Sequence, residues 1–250
     1  MLEWKNLTVQ YRKKAPVLRD ISLKLSPGIT ALIGRNGAGK STLLHTAVGA
    51  LPYTGEVLVK GLPLSSLSPR ERAEHVTLLP QGLPTPALTV RETVALGFSS
   101  HLTRLSEKEH VRVQEILTRL HLLPLADRRV DTLSGGERQM AFLGLLLVRN
   151  VPILLLDEPA TYIDTPTRAR LYDTLRAERA CGKALLVVMH DINEALSLAD
   201  RILLLNDGRI TFDGPPAACI AQQIPETHFD LTHYIAQDEA GKAIHLYKAR

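Results

Sequence analysis

The chain has 250 residues, a net charge of +4, 45% hydrophobic residues and 22% charged residues. This composition is ordinary for a soluble globular protein, and the length suits one α/β domain that carries a subdomain. Aromatic residues make up only 4% of the chain, which argues against binding of single-stranded nucleic acid by base stacking. No segment approaches the ~20 uninterrupted apolar residues of a membrane span. We therefore expect that the chain does not cross a membrane by itself.

The cysteines and the N-terminus favour a reducing compartment. Cys181 and Cys219 lack the spacing of a metal or redox motif, so both are expected to be reduced thiols. The N-terminal stretch MLEWKNLTVQYRKK contains no apolar signal-peptide core. These features predict a cytosolic protein.

Residues 1–82 are expected to form mostly strands. Alternating apolar and polar residues predict strands near the N-terminus, and short apolar runs predict buried strands further along the chain. The glycine-rich stretch GRNGAGKST separates one such buried strand from an apolar helix. The predicted elements are strands at 2–11, 17–25 and 29–34, a helix at 41–51, a hairpin at 54–64 and a strand at 75–81.

The pattern changes at residue 83 and stays helical to about residue 150. Ser106 and Glu109 form a capping-box pattern, which predicts a helix N-terminus at that point. Parallel-strand character then returns, and Asp191 is expected to cap a later helix. The remaining predicted elements are strands at 153–157 and 184–190, a helix at about 166–180, a hairpin around Asp207 and Gly208, and a last hairpin over 233–249 that turns at Gly241.

These elements predict an α/β core that is interrupted by a helical insert. The core is expected to comprise residues 1–82 and 151–222. The insert forms a helical subdomain at 83–150, and a short C-terminal extension follows at 223–250.

Residues 34–41 fit the pattern G-x-x-x-x-G-K-[ST] between a predicted strand and a predicted helix. Glycines allow backbone N–H groups to curl around phosphate oxygens, and the helix N-terminus adds a partial positive charge. Lys40 is expected to reach the β- and γ-phosphates of a nucleotide, and Ser41 to ligate Mg²⁺. The nucleotide-binding residues predicted in this loop are Asn36, Gly37, Ala38, Gly39, Lys40, Ser41 and Thr42.

A second strand end carries two carboxylates. Four apolar residues at 153–156 predict a buried strand that delivers Asp157 to the edge where open α/β sheets bind ligands. Asp157 is suited to hold Mg²⁺, directly or through water. Glu158 lies one residue further, where it is suited to polarise an attacking water molecule.

Two further polar residues are predicted to be the last residues of apolar strands. His190 follows ALLVVM, and its imidazole N–H is expected to contact a γ-phosphate and orient the water. Gln81 follows HVTLLP, and its amide is expected to reach Mg²⁺ or the water. Taken alone, a histidine at a strand end is more often structural than catalytic, and Gln81 is equally typical of a polar turn. A nucleotide at the same sheet edge favours the catalytic interpretation.

The order of these motifs resembles that of the ATPase subunits of ABC transporters. The resemblance implies a P-loop NTPase core of ABC ATPase type with an antiparallel β subdomain and a helical subdomain. Tyr11 matches the aromatic residue that stacks on adenine in this family. The match extends over about residues 1–214 and comprises the Walker A loop at 34–42, Gln81, the signature LSGGERQ at 133–139, Asp157 with Glu158, Asp164 of the D-loop, and His190.

The signature indicates a second phosphate-facing helix start. A helix that begins at Ser134, Gly135 and Gly136 presents free N–H groups and about half a positive charge. We expect the helical insert to keep it away from Lys40 of its own chain. In the family resembled, two chains pair head-to-tail, and each signature caps the γ-phosphate held by the other chain. The resemblance therefore implies a homodimer that binds ATP and Mg²⁺ at its interface, with Asp164 among the nucleotide-binding residues.

The same resemblance implies further partners and a location. Such a homodimer works on transmembrane permease subunits and, indirectly, with a substrate-binding protein. It lies peripherally on the cytoplasmic side of the cell membrane. No nucleic acid is expected as a partner.

The segment DEPATYIDTPT at 157–167 resembles the importers of iron–siderophore complexes and related metal chelates, and Tyr162 is its characteristic residue. Siderophore, haem, cobalamin and bare metal ion stay open as cargo. An ABC exporter ATPase and a soluble ABC ATPase that acts on DNA or ribosomes are alternatives. A small-molecule kinase is a third, although it leaves the signature, Gln81 and His190 without a role.

Two residues of the signature helix depart from the common family pattern. Met140 stands where a basic residue often follows the signature. Gly144 stands where alanine is typical, although alanine favours a helix by up to ~1 kcal/mol. Neither departure removes a catalytic group.

Overall fold

A computed structural model describes residues 1–11, 15–98, 105–161, 163–237 and 243–249 of the chain. These residues form two sheets that share a hydrophobic core, a set of helices and a small C-terminal sheet. No helix in this part of the chain has both the length and the hydropathy that a bilayer crossing requires. The α/β class predicted from the sequence is confirmed.

The first sheet is antiparallel. One face of its strands is buried and the other is exposed, as the alternation along residues 18–25 shows. The indole of Trp4 is fully buried on the inner face, where its Nε1 donates a hydrogen bond to Oγ1 of Thr46 at 3.0 Å. The strands are β1 (Leu2–Val9), β2 (Leu18–Leu25), β4 (Thr54–Val59) and β5 (Leu62–Pro63), in the spatial order β2-β1-β4-β5.

The second sheet has six strands. Neighbouring strands in it are parallel, except that the two strands latest in the chain pair antiparallel with each other. Its central strands are apolar and buried throughout, as expected for a parallel sheet covered on both faces. The carboxyl ends of the parallel strands therefore meet at one edge. The strands are β3 (Gly28–Ile33), β6 (Val76–Leu79), β7 (Ile153–Asp157), β8 (Ala184–Val188), β9 (Arg201–Asn206) and β10 (Arg209–Gly214), in the order β10-β9-β3-β8-β7-β6.

Helix starts follow the capping chemistry of the sequence. Ser106 accepts a hydrogen bond from the Glu109 N–H while the Glu109 carboxylate accepts one from Ser106, which confirms the predicted capping box. The same reciprocal box begins three other helices. The helices are α1 (Lys40–Ala47), α2 (Pro69–Ala73), α3 (Val90–Ala95), α4 (Glu107–Arg119), α5 (Gly135–Val148), α6 (Thr165–Ala180), α7 (Ile192–Leu198), α8 (Pro216–Ala221) and α9 (Ile224–Phe229).

Helices α3, α4 and α5 pack together and explain both departures in the signature helix. Met140 is 3% exposed and lies in the hydrophobic core. A side chain at Gly144 would place its Cβ 2.9 Å from Cγ2 of Val94 and 3.2 Å from Cδ1 of Leu120. Glycine is therefore needed here for the close approach of the three helices.

The division of the chain into the domains given above stays a prediction.

The C-terminal segment contains more structure than its sequence predicts. Two short helices, α8 and α9, precede an antiparallel hairpin of β11 (Leu231–Gln237) and β12 (Ala243–Ala249). The strands of this hairpin are confirmed, whereas the predicted turn at Gly241 lies outside the described residues. Asn193 of α7 makes two hydrogen bonds with the backbone of Tyr247. Its Nδ2 donates to the Tyr247 carbonyl at 3.1 Å, and its Oδ1 accepts from the Tyr247 N–H at 2.8 Å.

Candidate functional site

The glycine-rich loop joins β3 to α1 along a path that leaves no room for a side chain at Gly34 or Gly39. A Cβ atom at Gly34 would lie 2.3 Å from the carbonyl oxygen of Leu205 in the neighbouring strand β9. Gly39 has φ 105° at the N-cap of α1, a backbone conformation that favours glycine. The loop can therefore fold tightly over the first turn of α1 and point its backbone N–H groups into the space above it.

Lys40 lies inside this loop and is 6% exposed. Its Nζ donates hydrogen bonds to the carbonyl oxygens of Gly34 at 2.8 Å and Arg35 at 3.0 Å. Burial lowers the pKa of the ammonium group, while the nearby carboxylates of Glu158 and Asp157 oppose that shift. The positive charge is thus held within the loop, next to the acidic end of β7.

Asp157 ends β7 and is 2% exposed. Burial raises the pKa of its carboxyl group, and a hydrogen bond from the Ser41 hydroxyl acts in the opposite direction. Oδ1 of this carboxyl group is buried without a hydrogen-bond partner in the described structure. A buried carboxylate oxygen without a partner, beside a hydroxyl, is a donor set that suits a hard cation such as Mg²⁺.

Glu158 lies between Gln81 and His190, two of the other predicted catalytic residues. Its Oε2 accepts a hydrogen bond from Nε2 of Gln81 at 2.6 Å, and its Oε1 lies 2.5 Å from Nε2 of His190. The Glu158 side chain is only 10% exposed, whereas that of His190 is 47% exposed. Glu158 also has φ 52°, which is unusual for a residue other than glycine. The three side chains form one hydrogen-bonded group.

The strand register brings these three residues together. Leu79 of β6 pairs with Leu156 of β7, and Asp157 of β7 pairs with Val188 of β8. The sequence predicted that Gln81 and His190 end their strands, and this is wrong in detail. Strand β6 ends at Leu79 and β8 ends at Val188, so both residues stand two positions beyond the sheet. In those loops their side chains can bend towards Glu158.

The remaining loop residues border open space. Tyr11 is 41% exposed, and its hydroxyl lies 3.4 Å from Oγ1 of Thr42 in the first turn of α1. Asn36, Gly37 and Ala38 line a groove of about 800 Å³. The predicted nucleotide-binding residues of the loop and Tyr11 therefore lie at one side of the molecule.

The signature forms a helix start, as predicted. Ser134 caps α5, accepting a hydrogen bond from the Glu137 N–H at 3.3 Å, and Glu137 accepts one from the Ser134 N–H at 2.8 Å. Gly135 and Gly136 are the first two residues of the helix. Within the described ranges, no hydrogen bond or ion pair joins residues 134–136 to residues 34–42.

Asp164 also caps a helix. Its Oδ1 accepts a hydrogen bond from the Thr167 N–H at 2.9 Å at the start of α6. The Thr167 side chain, followed by this N–H, lowers the pKa of the Asp164 carboxyl group. The start of α6 lies beside the signature, since a Cβ at Gly136 would be 3.2 Å from Cγ2 of Ile163. Tyr162, the predicted subgroup marker, lies outside the described residues.

Three residues near the site were not singled out from the sequence. Glu194 of α7 contacts Arg168 and Tyr172 of α6, and all three line a cavity of about 170 Å³ together with Glu158 and His190. A signal was present, since Asp191 and Glu194 repeat the spacing of a capping box. The pattern predicted the helix start but not where the Glu194 carboxylate points.

The fold and this site define a P-loop nucleoside triphosphatase. The phosphate loop follows one parallel strand, and the acidic pair Asp157 and Glu158 lies at the end of another strand of the same sheet. This is the position at which open α/β sheets bind ligands.

Comparison with known proteins identifies the family. A family model described as "ABC transporter" matches residues 18–161. The ferric enterobactin transport ATP-binding protein FepC of Escherichia coli (strain K12) is 34% identical over 244 residues, which cover 95% of this chain and 90% of that protein. The hemin import ATP-binding protein HmuV of Shewanella denitrificans is 36% identical over 247 residues, which cover 95% of each chain.

A solved structure agrees with these matches. The ATP-binding cassette MJ0796, in a dimeric post-hydrolysis state bound to ADP and Pi, superposes with a TM-score of 0.78 at 27% identity, covering 86% of this chain and 99% of that chain. The chain belongs to the ABC transporter family and is an ABC-type ATPase. The resemblance, the fold class and the enzyme class inferred from the motifs are thereby confirmed.

Proposed function

We propose that this chain is the ATP-hydrolysing subunit of an importer for a metal chelate of the iron–siderophore kind. The observation that carries the proposal is the position of Glu158, held between Gln81 and His190 at the sheet edge that also presents Lys40. A carboxylate fixed in this way beside a phosphate loop is suited to take a proton from an attacking water molecule. Hydrolysis of ATP is then the reaction of the site.

Each residue has a distinct part in the proposed reaction. Lys40 would leave its bonds to the loop carbonyls and bind the β- and γ-phosphates. Glu158 is the general base, and His190 donates its N–H to the γ-phosphate. Tyr11 stacks on the adenine ring, since its ring is exposed beside Thr42. The backbone N–H groups of residues 36–42 surround the phosphates.

Mg²⁺ is the metal that fits the polar residues at the end of β7. Asp157 offers a buried oxygen without a partner, Ser41 offers its hydroxyl, and the amide oxygen of Gln81 completes the proposed ligands. When bound, the ion neutralises charge on the phosphate oxygens.

The proposed active form is a head-to-tail homodimer. Ser134, Gly135 and Gly136 form a helix start that, within the described ranges, has no bond to the phosphate loop of its own chain. Such a start carries a partial positive charge that suits a phosphate, and in the proposed dimer a second copy brings it to the nucleotide. Asp164, exposed at the start of α6 beside the signature, belongs to the same surface.

The relatives support the importer assignment and the proposed partners. FepC is described as a ferric enterobactin transport protein and HmuV as a hemin import protein, and both are matched over nearly their whole lengths. By analogy, the dimer binds two permease subunits at the cytoplasmic side of the cell membrane, as a peripheral protein. A substrate-binding protein would deliver the chelate to the permease from the other side.

Two experiments test this proposal. Purified Glu158→Gln protein should bind ATP as tightly as the wild type while its hydrolysis falls by about 10²–10⁴-fold, the usual contribution of a general base. Unchanged turnover would remove Glu158 as the base. The transport role is tested by purification from cells that express the neighbouring genes. We expect a membrane permease to co-purify, and hydrolysis without any permease partner would contradict the importer assignment.

A further inference from the structure

The start of α7 differs from four other helix starts that carry glutamate at the third position. In α2, α3, α4 and α5 this glutamate turns back and accepts a hydrogen bond from the N-cap N–H. Helix α7 has the same spacing, with Asp191 as the N-cap and Glu194 at the third position. Only half of the capping box forms. The Asp191 carboxylate accepts hydrogen bonds from the N–H groups of Asn193 and Glu194, but the Glu194 carboxylate accepts none from the Asp191 N–H.

The carboxylate of Glu194 instead joins α7 to α6. Its Oε1 accepts a hydrogen bond from Nη1 of Arg168 at 2.7 Å, and its Oε2 accepts one from the hydroxyl of Tyr172. Burial, followed by the bond to Glu194, raises the pKa of the Tyr172 hydroxyl, so it stays a donor. The contact is only partly solvated, since the side chains of Arg168 and Glu194 are 34% and 22% exposed. An ion pair with two donors on one carboxylate fixes geometry more strongly than an exposed single pair.

The contact of Glu194 with Arg168 and Tyr172 lies close to the proposed catalytic residues. His190 immediately precedes the N-cap Asp191, so a shift of α7 relative to α6 would move the loop that carries the imidazole. Arg168, Tyr172 and Glu194 share one cavity with Glu158 and His190. The Nε of Arg168 is buried there and has no hydrogen-bond partner among the described residues.

We propose that Glu194, held by Arg168 and Tyr172, is a positioning residue that fixes the imidazole of His190 against Glu158. The inference rests on the proposed hydrolysis of ATP. Arg168 lies one helical turn from the N-cap Asp164, since its backbone N–H donates to the Asp164 carbonyl at 2.9 Å. Glu194 itself touches no reacting atom.

The kinetic test uses Glu194→Gln and Arg168→Met. Each variant removes the charge interaction between α6 and α7. We expect kcat to fall roughly tenfold because the imidazole is misplaced, with KM for ATP within about twofold of wild type because the phosphate loop is untouched. The matched control is Arg176→Met, which breaks an exposed pair with Asp173 on the same helix. A control that loses as much kcat as Arg168→Met would overturn the proposal.

If Glu194 acts by positioning His190, the effect of Glu194→Gln on hydrolysis depends on the presence of His190. A purely structural ion pair has no such dependence. In a His190→Ala background, single-turnover hydrolysis should not fall further when Glu194→Gln is added. A further tenfold loss in that background would show that Glu194 acts by another route. Wild-type kcat in Glu194→Gln, accompanied only by a lower melting temperature, would also overturn the proposal.

A measurement without turnover separates this inference from the proposed function. The ¹⁵N resonance of His190 Nε2 in the nucleotide-free protein reports the contact with Glu158. We expect it to shift in Glu194→Gln and to stay in place in Arg176→Met. An unchanged resonance in Glu194→Gln contradicts positioning. If wild-type protein hydrolyses no ATP, or if Glu158→Gln retains full turnover, the proposed function fails, and the resonance still decides whether Glu194 positions His190.

Discussion

The hydroxyl of Ser41, in the first turn of α1, lies beside the carboxyl of Asp157 at the end of β7 and acts to lower its pKa, against the larger effect of burial. The two residues lie far apart in the chain, yet the sequence predicts a role for each: Ser41 belongs to the glycine-rich loop motif, and Asp157 ends the apolar strand β7. Asp157 keeps a second oxygen buried without a partner in the described structure. Burial of that charge is costly unless a cation compensates it, so the nucleotide-free protein should be destabilised at this position.

We predict that Asp157→Asn stabilises the nucleotide-free protein at pH 7, because the neutral amide replaces a carboxylate whose charged form is disfavoured by burial. Burial raises the folded-state pKa of Asp157, so the associated stability is lost as pH rises through that pKa. The advantage of the variant should therefore disappear below about pH 4, where the carboxyl is protonated in both states. Urea unfolding, repeated at intervals of about half a pH unit from roughly pH 3.5 to pH 8, measures the difference.

The metal supplies the control for this prediction. Mg²⁺ with ATP should stabilise the wild type and have a much smaller effect on Asp157→Asn, because a ligand stabilises only a fold that binds it. Asp173→Asn, at an exposed ion pair on α6, should change neither the stability at pH 7 nor the stabilisation by Mg²⁺ with ATP. An Asp157→Asn protein that is less stable than wild type at pH 7 would contradict the account.

Gly144→Ala should destabilise the protein by about 1 kcal/mol despite the higher helix propensity of alanine. Propensity favours alanine by ~1 kcal/mol, but the added methyl would lie 2.9 Å from Val94, and overpacking costs about 1–3 kcal/mol. Denaturant unfolding measures the change. The double variant Gly144→Ala/Val94→Ala should lose less than the sum of its single variants. Strict additivity would show that Val94 is not the obstacle.

Asn193→Ala should loosen the C-terminal hairpin without unfolding the core. The substitution removes both hydrogen bonds to the backbone of Tyr247, each worth about 1 kcal/mol. Hydrogen exchange at the Tyr247 N–H should accelerate by roughly tenfold or more. Ser197→Ala, at an exposed position of α7, is the matched control and should leave this exchange rate unchanged. An unaltered rate in Asn193→Ala would mean that the hairpin is held by other contacts.

Ser134→Asp should abolish hydrolysis while a single chain still binds ATP. Aspartate is a good N-cap, so α5 should remain stable, but its charge would repel a γ-phosphate presented by a second copy. Turnover should fall by ~10²-fold or more, as for loss of a direct transition-state contact. The control is Ser106→Asp, the same change at the cap of α4. Poor ATP binding by monomeric Ser134→Asp would show that the signature serves its own chain.

The sequence predicts the parallel sheet and the site well because both depend on local patterns. Apolar runs such as residues 153–156 and 184–188 define buried strands, and their carboxyl ends must meet at one edge. The clustering of Gln81, Glu158 and His190 at that edge therefore follows from the sequence pattern alone. The two-residue offset of Gln81 and His190 from their strands does not, because strand ends depend on tertiary pairing and not on the composition of the run.

Other features depend on contacts that no local pattern records. The short helices α8 and α9 have six residues each, too few to show a helical period. Helix propensity alone makes Gly144 a weak point in the signature helix, whereas its contacts with Val94 and Leu120 explain why glycine is needed there. Glu194 has the spacing of a capping box, and only the neighbouring helix α6 explains why its carboxylate points elsewhere.

The central claim is that two copies of the chain share each nucleotide, with the signature of one facing the phosphate loop of the other. The most direct measurement is specific ATPase activity across a dilution series whose sedimentation is followed in parallel. The account predicts that activity per chain falls towards zero as the dimer dissociates, and that it returns on concentration. Constant activity per chain at dilutions where only monomer sediments would contradict it.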